Sequence, residues 1–334
     1  MTRNKPITIF LFLSLSLSLS FLPLMQPKLI SNYYQKTCPR FPEIVRKITS
    51  EKQHNSPTTA AATLRLLFHD CMVGGCDASI LITSNSYNKA ERDHAVNTPL
   101  SGDGFDVISR AKNVLELECP GIVSCADVLV SAVQELVAVS GGPTIPVQFG
   151  RKDSLESKSS NPENQFPLPN MTMSEVIQIF ARKGFSIQEM VALVGGHTIG
   201  MSHCNQFVNR IFKFSKTSET DPAYNPEYAA GLRKLCENYT KDPSMAAFND
   251  VITPVKFDNM YYKNLQRGLG LLATDTAMFM DSRTKPFVQK YGADEAKFFE
   301  DFSSAMVKLT ALEVKTGNAG EVRSRCDSFN TLFG

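Results

Sequence analysis

The sequence predicts an all-α fold, and three observations predict it. Apolar residues recur at helical spacing through most of the chain. Helix starts are explicit, above all Ser186 with Glu189 three residues on, a capping box ahead of an apolar run. Gly/Pro clusters at 99–104, 141–146 and 161–170 mark the loops between helical stretches. At 334 residues, 43% hydrophobic and 20% charged, the chain has enough apolar material for a large core in one or two domains. Its 35 Lys and Arg nearly balance 33 Asp and Glu, which argues against a protein built to grip nucleic acid.

Taken in order, the chain opens with a leader. Residues 1–28 carry Arg3 and Lys5 and then an apolar run broken at Pro23, the pattern of a secretory signal peptide. Serines interrupt the run too often for a good membrane-spanning helix, and nothing later is apolar and long enough to span. Residues 29–334 are therefore expected to be exported without a membrane anchor. Export gives the eight cysteines their meaning: four disulfides rather than a metal cluster, with 105 pairings open to arithmetic alone. No C-x-x-C-H occurs, so no c-type haem attachment is expected. Sequons at Asn170 and Asn238 mark expected surface glycans.

A helix is expected over 58–71, apolar nearly all round and hence buried on most sides. Arg65 and His69 sit inside it, about 40° apart around the axis, sharing a face with Ala61, Phe68 and Met72. A second helix is expected over 185–197. Gly184 ends the preceding pattern of Val176, Ile179 and Phe180, Ser186 caps, and Phe185 with Met190 forms a hydrophobic staple. Met190, Leu193, Val194 and His197 then fall at i, i+3, i+4 and i+7, which puts His197 on the buried stripe.

A lone histidine on an apolar stripe is more often a satisfied core residue than a ligand. Two such histidines on separate helices, one with an arginine a turn away, are harder to explain as core. A buried arginine without a partner costs several kcal/mol, so a bound group bringing negative charge is expected. His54, His94 and His203 read as surface or loop residues. A zinc site is weakly supported because no His/Cys/carboxylate trio shows tight spacing, and no G-x-S-x-G supports a serine hydrolase. Gly195 and Gly196 before His197 allow a flat or bulky group to approach. One axial histidine, with a histidine and an arginine across the gap, fits a haem pocket arranged for peroxide chemistry.

LRLLFHDC, GCDAS and VGGHTIG, with CPGIVSCAD, GRKDS, TPVKFDNMYY and GLLATD, resemble the secretory plant-type (class III) haem peroxidases. The resemblance covers the mature chain from Cys38 to Cys326 and includes all eight cysteines. It implies a two-lobed, mostly helical fold with one non-covalent haem b between a distal and a proximal lobe. It implies disulfides Cys38–Cys119, Cys71–Cys76, Cys125–Cys326 and Cys204–Cys236. His197 would hold the haem iron, and Asp275 would accept its other ring N–H. On the distal side His69 would move the proton of H2O2 to the departing oxygen, with Arg65 stabilising the charge developing there. Asn97 would orient His69, with Glu91 behind it. Phe68 would crowd the iron's open face and steer donors to the haem edge. Pro167, in FPLP, would hold phenolic donors through its carbonyl. Two calcium ions are implied: a distal one on Asp70, Val73, Gly75, Asp77 and Ser79, and a proximal one on Thr198, Asp250, Thr253, Lys256 (its carbonyl) and Asp258.

The sequence departs from the family pattern at Met72, Asn249, Ala95, Asn170, Gln206 and Ile145, where ring-bearing residues are usual. The peroxide-cleaving residues are intact, whereas the donor rim is altered. The resulting expectation is a monomeric, secreted peroxidase of the cell wall or apoplast that oxidises small phenolic donors with H2O2. The alternatives are a peroxidase-fold glycoprotein serving as a cell-wall binding or structural module, and a secreted metallohydrolase. Eight residues follow Cys326, too few for a long vacuolar sorting extension, which also points outside the cell.

Overall fold

The computed structural model describes residues 28–331. The expected signal peptide lies almost wholly outside these residues. Twelve α-helices are seen among them: α1 (Phe41–Asn55), α2 (Thr59–Cys71), α3 (Gly102–Glu118), α4 (Cys125–Val139), α5 (Met173–Arg182), α6 (Ile187–Val194), α7 (Val208–Ile211), α8 (Pro226–Leu235), α9 (Met260–Leu265), α10 (Ala273–Met280), α11 (Lys285–Ala293) and α12 (Glu295–Thr310). One small sheet adds to the helical expectation. Strands β1 (Met201–His203) and β2 (Ala246–Phe248) pair antiparallel, with Met201 opposite Phe248.

Helices α1 to α4 pack on one another as a first lobe. Helices α6, α9, α11 and α12 form the body of a second, and α12 also reaches α2. One continuous core runs through both, from Phe41, Leu67 and Leu129 to Tyr262, Phe298 and Phe302. A smaller cluster around Phe207, Ile211 and Leu232 lies beneath the β1–β2 pair. No helix among the described residues is long and apolar enough to cross a membrane.

The local signals act as their chemistry dictates. Ser186 accepts the N–H of Glu189, whose carboxylate accepts the N–H of Ser186, so the expected capping box starts α6. Gly184 adopts φ 82° just past α5, as expected of a terminating glycine. The expected loop over 99–104 needs correction, because α3 begins at Gly102. Ser101 caps it through the N–H of Asp103, and a β-carbon at Gly104 would lie 3.1 Å from the Ala62 carbonyl. Gly104 therefore permits close packing of α3 on α2 rather than a turn.

The four disulfides join Cys38–Cys119, Cys71–Cys76, Cys125–Cys326 and Cys204–Cys236, the pairs the resemblance implies. Cys125–Cys326 spans 201 residues and ties the C-terminal segment to the start of α4. Asn170 and Asn238, the sequon asparagines, are both exposed.

Candidate active site

His69, in the last turn of α2, is only 5% exposed. Its Nδ1 lies 2.7 Å from Oδ1 of Asn97. Asn97 cannot present its other face, because its Nδ2 donates to the Glu91 carbonyl at 2.7 Å. The amide oxygen therefore faces the ring, Nδ1 carries the hydrogen, and Nε2 keeps its lone pair. Arg65 Nε points to that Nε2 at 3.4 Å, and arginine can only donate. Burial first, then the Arg65 charge, push His69 down to about 3, against the pull of Asn97. The imidazole is neutral and ready to accept a proton at Nε2.

Glu91 stands behind Asn97 through its backbone carbonyl. Its carboxylate faces Ser79 Oγ and Asn161 Nδ2, each at 3.0 Å, and burial raises it to about 7.

Arg65 differs from expectation. Its side chain is exposed rather than buried, on a face of α2 that opens to a cleft. Burial alone thus demands no counter-anion, although incomplete hydration in the cleft lowers the guanidinium pKa. Phe166 stacks on the His69 ring with centroids 4.4 Å apart and planes 22° from parallel, and Phe68 lies 6.1 Å from Phe166. Pro167, the next residue, is half-buried.

His197 also needs correction. α6 ends at Val194, and His197 sits on the 3₁₀ turn Gly195–Thr198 with its side chain 38% exposed. Two consecutive glycines weaken the α-helix there, and the stripe itself is only part-buried at this end, since Leu193 and Val194 are no more enclosed than His197. Its Nδ1 lies 3.0 Å from Oδ1 of the buried Asp275, in the first turn of α10. Burial tends to raise the Asp275 carboxyl, but His197, the Tyr261 hydroxyl and the Leu272 N–H together hold it below its ordinary value. This arrangement leaves His197 Nε2 free.

The His197 turn meets α2 closely. A β-carbon on Gly200 would lie 3.0 Å from Cβ of Ala61, and one on Gly196 would lie 3.2 Å from Cδ2 of Leu64. Ala61 shares its face of α2 with Arg65 and His69, so the His197 turn packs on the face that carries both. A half-exposed imidazole with a fixed Nδ1 and free Nε2, on a turn packed against the helix that carries an arginine and a neutral histidine, fits a haem ligated through His197.

The two oxygen-rich sets also come together. Asp70 accepts the N–H groups of Ala78 at 2.9 Å and Ile80 at 3.4 Å, and Asp77 accepts that of Ser79 at 3.0 Å. Burial, then Asp77, then Glu91 hold the Asp70 carboxyl well above its usual range. Three sealed carboxylates that repel one another, beside hydroxyl and carbonyl oxygens, suit a hard divalent cation. Asp250 and Asp258 are bridged by Thr253 Oγ1, at 3.3 and 3.1 Å, while Thr198 Oγ1 donates to the Asp258 carbonyl at 2.8 Å and lies 3.5 Å from that of Lys256. This set is also oxygen-only. Neither set includes a histidine or cysteine side chain, the donors a zinc site most often uses, so both are oxygen sets in which hydroxyl and carbonyl groups stand beside the carboxylates.

Three further residues touch the site without having been singled out from sequence. Phe166 precedes Pro167 in FPLP, Tyr261 follows FDNM and donates to Asp275 Oδ1 at 2.8 Å, and Lys315 pairs with Asp77. Phe166 and Tyr261 had a signal, as aromatics inside the FPLP and TPVKFDNMYY motifs, and Lys315 had none.

A family model described as Peroxidase matches residues 45–294. Peroxidase 6 of Arabidopsis thaliana is 54% identical over 93% of this chain and 95% of its own length. Peroxidase 65 of the same plant is 54% identical over 91% of this chain and 90% of its own, and Peroxidase 63 is 50% identical over 98% of each.

Proposed function

The chain belongs to the peroxidase family, in its secretory plant (class III) branch, and on that premise we propose that it reduces H2O2 to water while oxidising phenolic donors by one-electron steps. Two phenols each give up an electron and a proton, and one H2O2 leaves as two waters. The observation that carries this reading is the His69–Asn97–Glu91 chain, which presents an unprotonated Nε2 beside Arg65.

Haem, which membership implies, would be held by His197 Nε2 and, when bound, supplies the redox-active iron that exchanges electrons with peroxide and donor. His69 Nε2 takes a proton from the peroxide and returns it to the departing oxygen. Arg65 offers its guanidinium to the charge that gathers there. Asp275 accepts the Nδ1–H of His197, fixing the ring and making it a stronger electron donor. Phe68 crowds the distal face, and the Pro167 carbonyl receives the phenol.

In this reading residues 1–28 direct export to the wall or apoplast, glycans sit on Asn170 and Asn238, the protein is a monomer, and Ca2+ occupies the distal and proximal oxygen sets. Purified protein should carry a Soret band and oxidise a simple phenol only when H2O2 is added. A Soret band without turnover would favour a binding or structural module. No Soret band would remove the peroxidase reading altogether.

A further inference from the structure

Lys315 enters the distal oxygen cluster from the far end of the chain. Its ammonium pairs with Oδ2 of Asp77, while Asp77 Oδ1 takes the Ser79 N–H at 3.0 Å. The Asp77 side chain is 3% exposed and that of Lys315 is 28%, so the carboxylate is sealed and the ammonium sits at the water boundary. The backbone brings them together. Gly75 at φ 101° presses against Glu313, whose carbonyl leaves no room for a β-carbon, and Cys76 N–H donates to the Leu312 carbonyl at 3.2 Å. The Lys315 carbonyl is itself fixed by the Lys152 N–H at 2.8 Å. The backbone is anchored on both sides of the site, while the four-carbon arm is free to swing into water.

The cluster holds Asp70, Asp77 and Glu91, against which Lys315 is the cation in direct contact with a carboxylate. We infer that Lys315 is a displaceable internal counter-ion of the distal calcium site, which Ca2+ must expel to use Asp77 Oδ2. The inference rests on the calcium assignment above. An ammonium so close to the cation position opposes binding by direct repulsion, and it keeps the carboxylate compensated when Ca2+ is absent. This chain should thus bind distal calcium weakly and tolerate its loss.

The test is equilibrium dialysis of the haem-containing protein against a range of free Ca2+, with calcium per haem measured by elemental analysis. Lys315→Met keeps the apolar stem and removes the charge. It should tighten one of the two calcium-binding steps by about tenfold or more, and deepen the loss of Tm on chelation. Lys315→Arg should keep the wild-type affinity. Lys315→Gln provides a second neutral variant should Lys315→Met fail to fold. Two calcium ions bound with unchanged affinity in the neutral variants overturn the inference. Failure of wild type and neutral variants alike to bind a second calcium overturns the calcium assignment, and the inference with it.

Discussion

His69 Nδ1 lies 2.7 Å from Asn97 Oδ1, and the Asn97 amide nitrogen is held by the Glu91 carbonyl at the same distance. Two hydrogen bonds thus decide which nitrogen of a buried histidine is free to react.

Removing the acceptor should therefore cost rate before it costs structure. Asn97→Val is expected to slow the reaction with H2O2 by about 10²-fold while haem stays bound, since it frees the ring to take the wrong tautomer. Asn97→Asp, which keeps an acceptor, should lose less. Stopped-flow absorbance checks both, and equal loss in the two variants would contradict the tautomer argument.

The depressed His69 pKa gives a pH signature. A histidine held at about 3 when folded binds fewer protons than its unfolded counterpart, at about 6.5, throughout the interval between. Its contribution to stability is fully present above about 6.5 and is lost as pH falls toward 3. The peroxide reaction should hold its rate down to about pH 4 and fall below it, as Nε2 becomes protonated. A break near 6.5 in the pH–rate profile would show an ordinary, hydrated histidine.

On the opposite wall, Asp275→Asn should leave His197 able to bind but less electron-donating. The iron reduction potential should rise, whereas Tyr261→Phe, which removes one of the two donors to Asp275 Oδ1 and leaves a more basic carboxylate for His197, should lower it by a smaller amount. Spectroelectrochemical titration reads both, and unchanged potentials would remove Asp275 from its role.

The Cys125–Cys326 bridge closes a loop of 201 residues, the longest of the four. Cys125→Ser with Cys326→Ser should lower stability by about 2–5 kcal/mol in chemical denaturation. A loss below about 1 kcal/mol would mean that the C-terminal segment is held by its other contacts. Among these are the hydrogen bonds that the buried Arg323 guanidinium donates to the carbonyls of Ala78 and Cys326.

Much of this was legible in sequence where the signal is local. Ser186 and Glu189 specify a helix start by their own hydrogen bonds, and the apolar run at 59–71 buries His69 on whichever side it packs. The misread positions depend on tertiary partners. Gly104 looks like a turn residue until α2 lies alongside and leaves no room for a β-carbon there. Arg65 looks buried, yet its face of α2 is left uncovered, and His197 looks buried, yet the C-terminal end of its stripe, Leu193 and Val194 included, is covered only in part. Lys315 is separated from Asp77 by 238 residues, so no periodicity could have joined them.

The most direct measurement is the visible absorption of the haem-containing protein, followed by stopped flow after mixing with H2O2, in wild type and in His69→Ala. The wild-type spectrum should change rapidly. The variant, with the same starting Soret band, should change about 10²-fold or more slowly. Equal rates would contradict the assignment of His69 as the group that moves the proton.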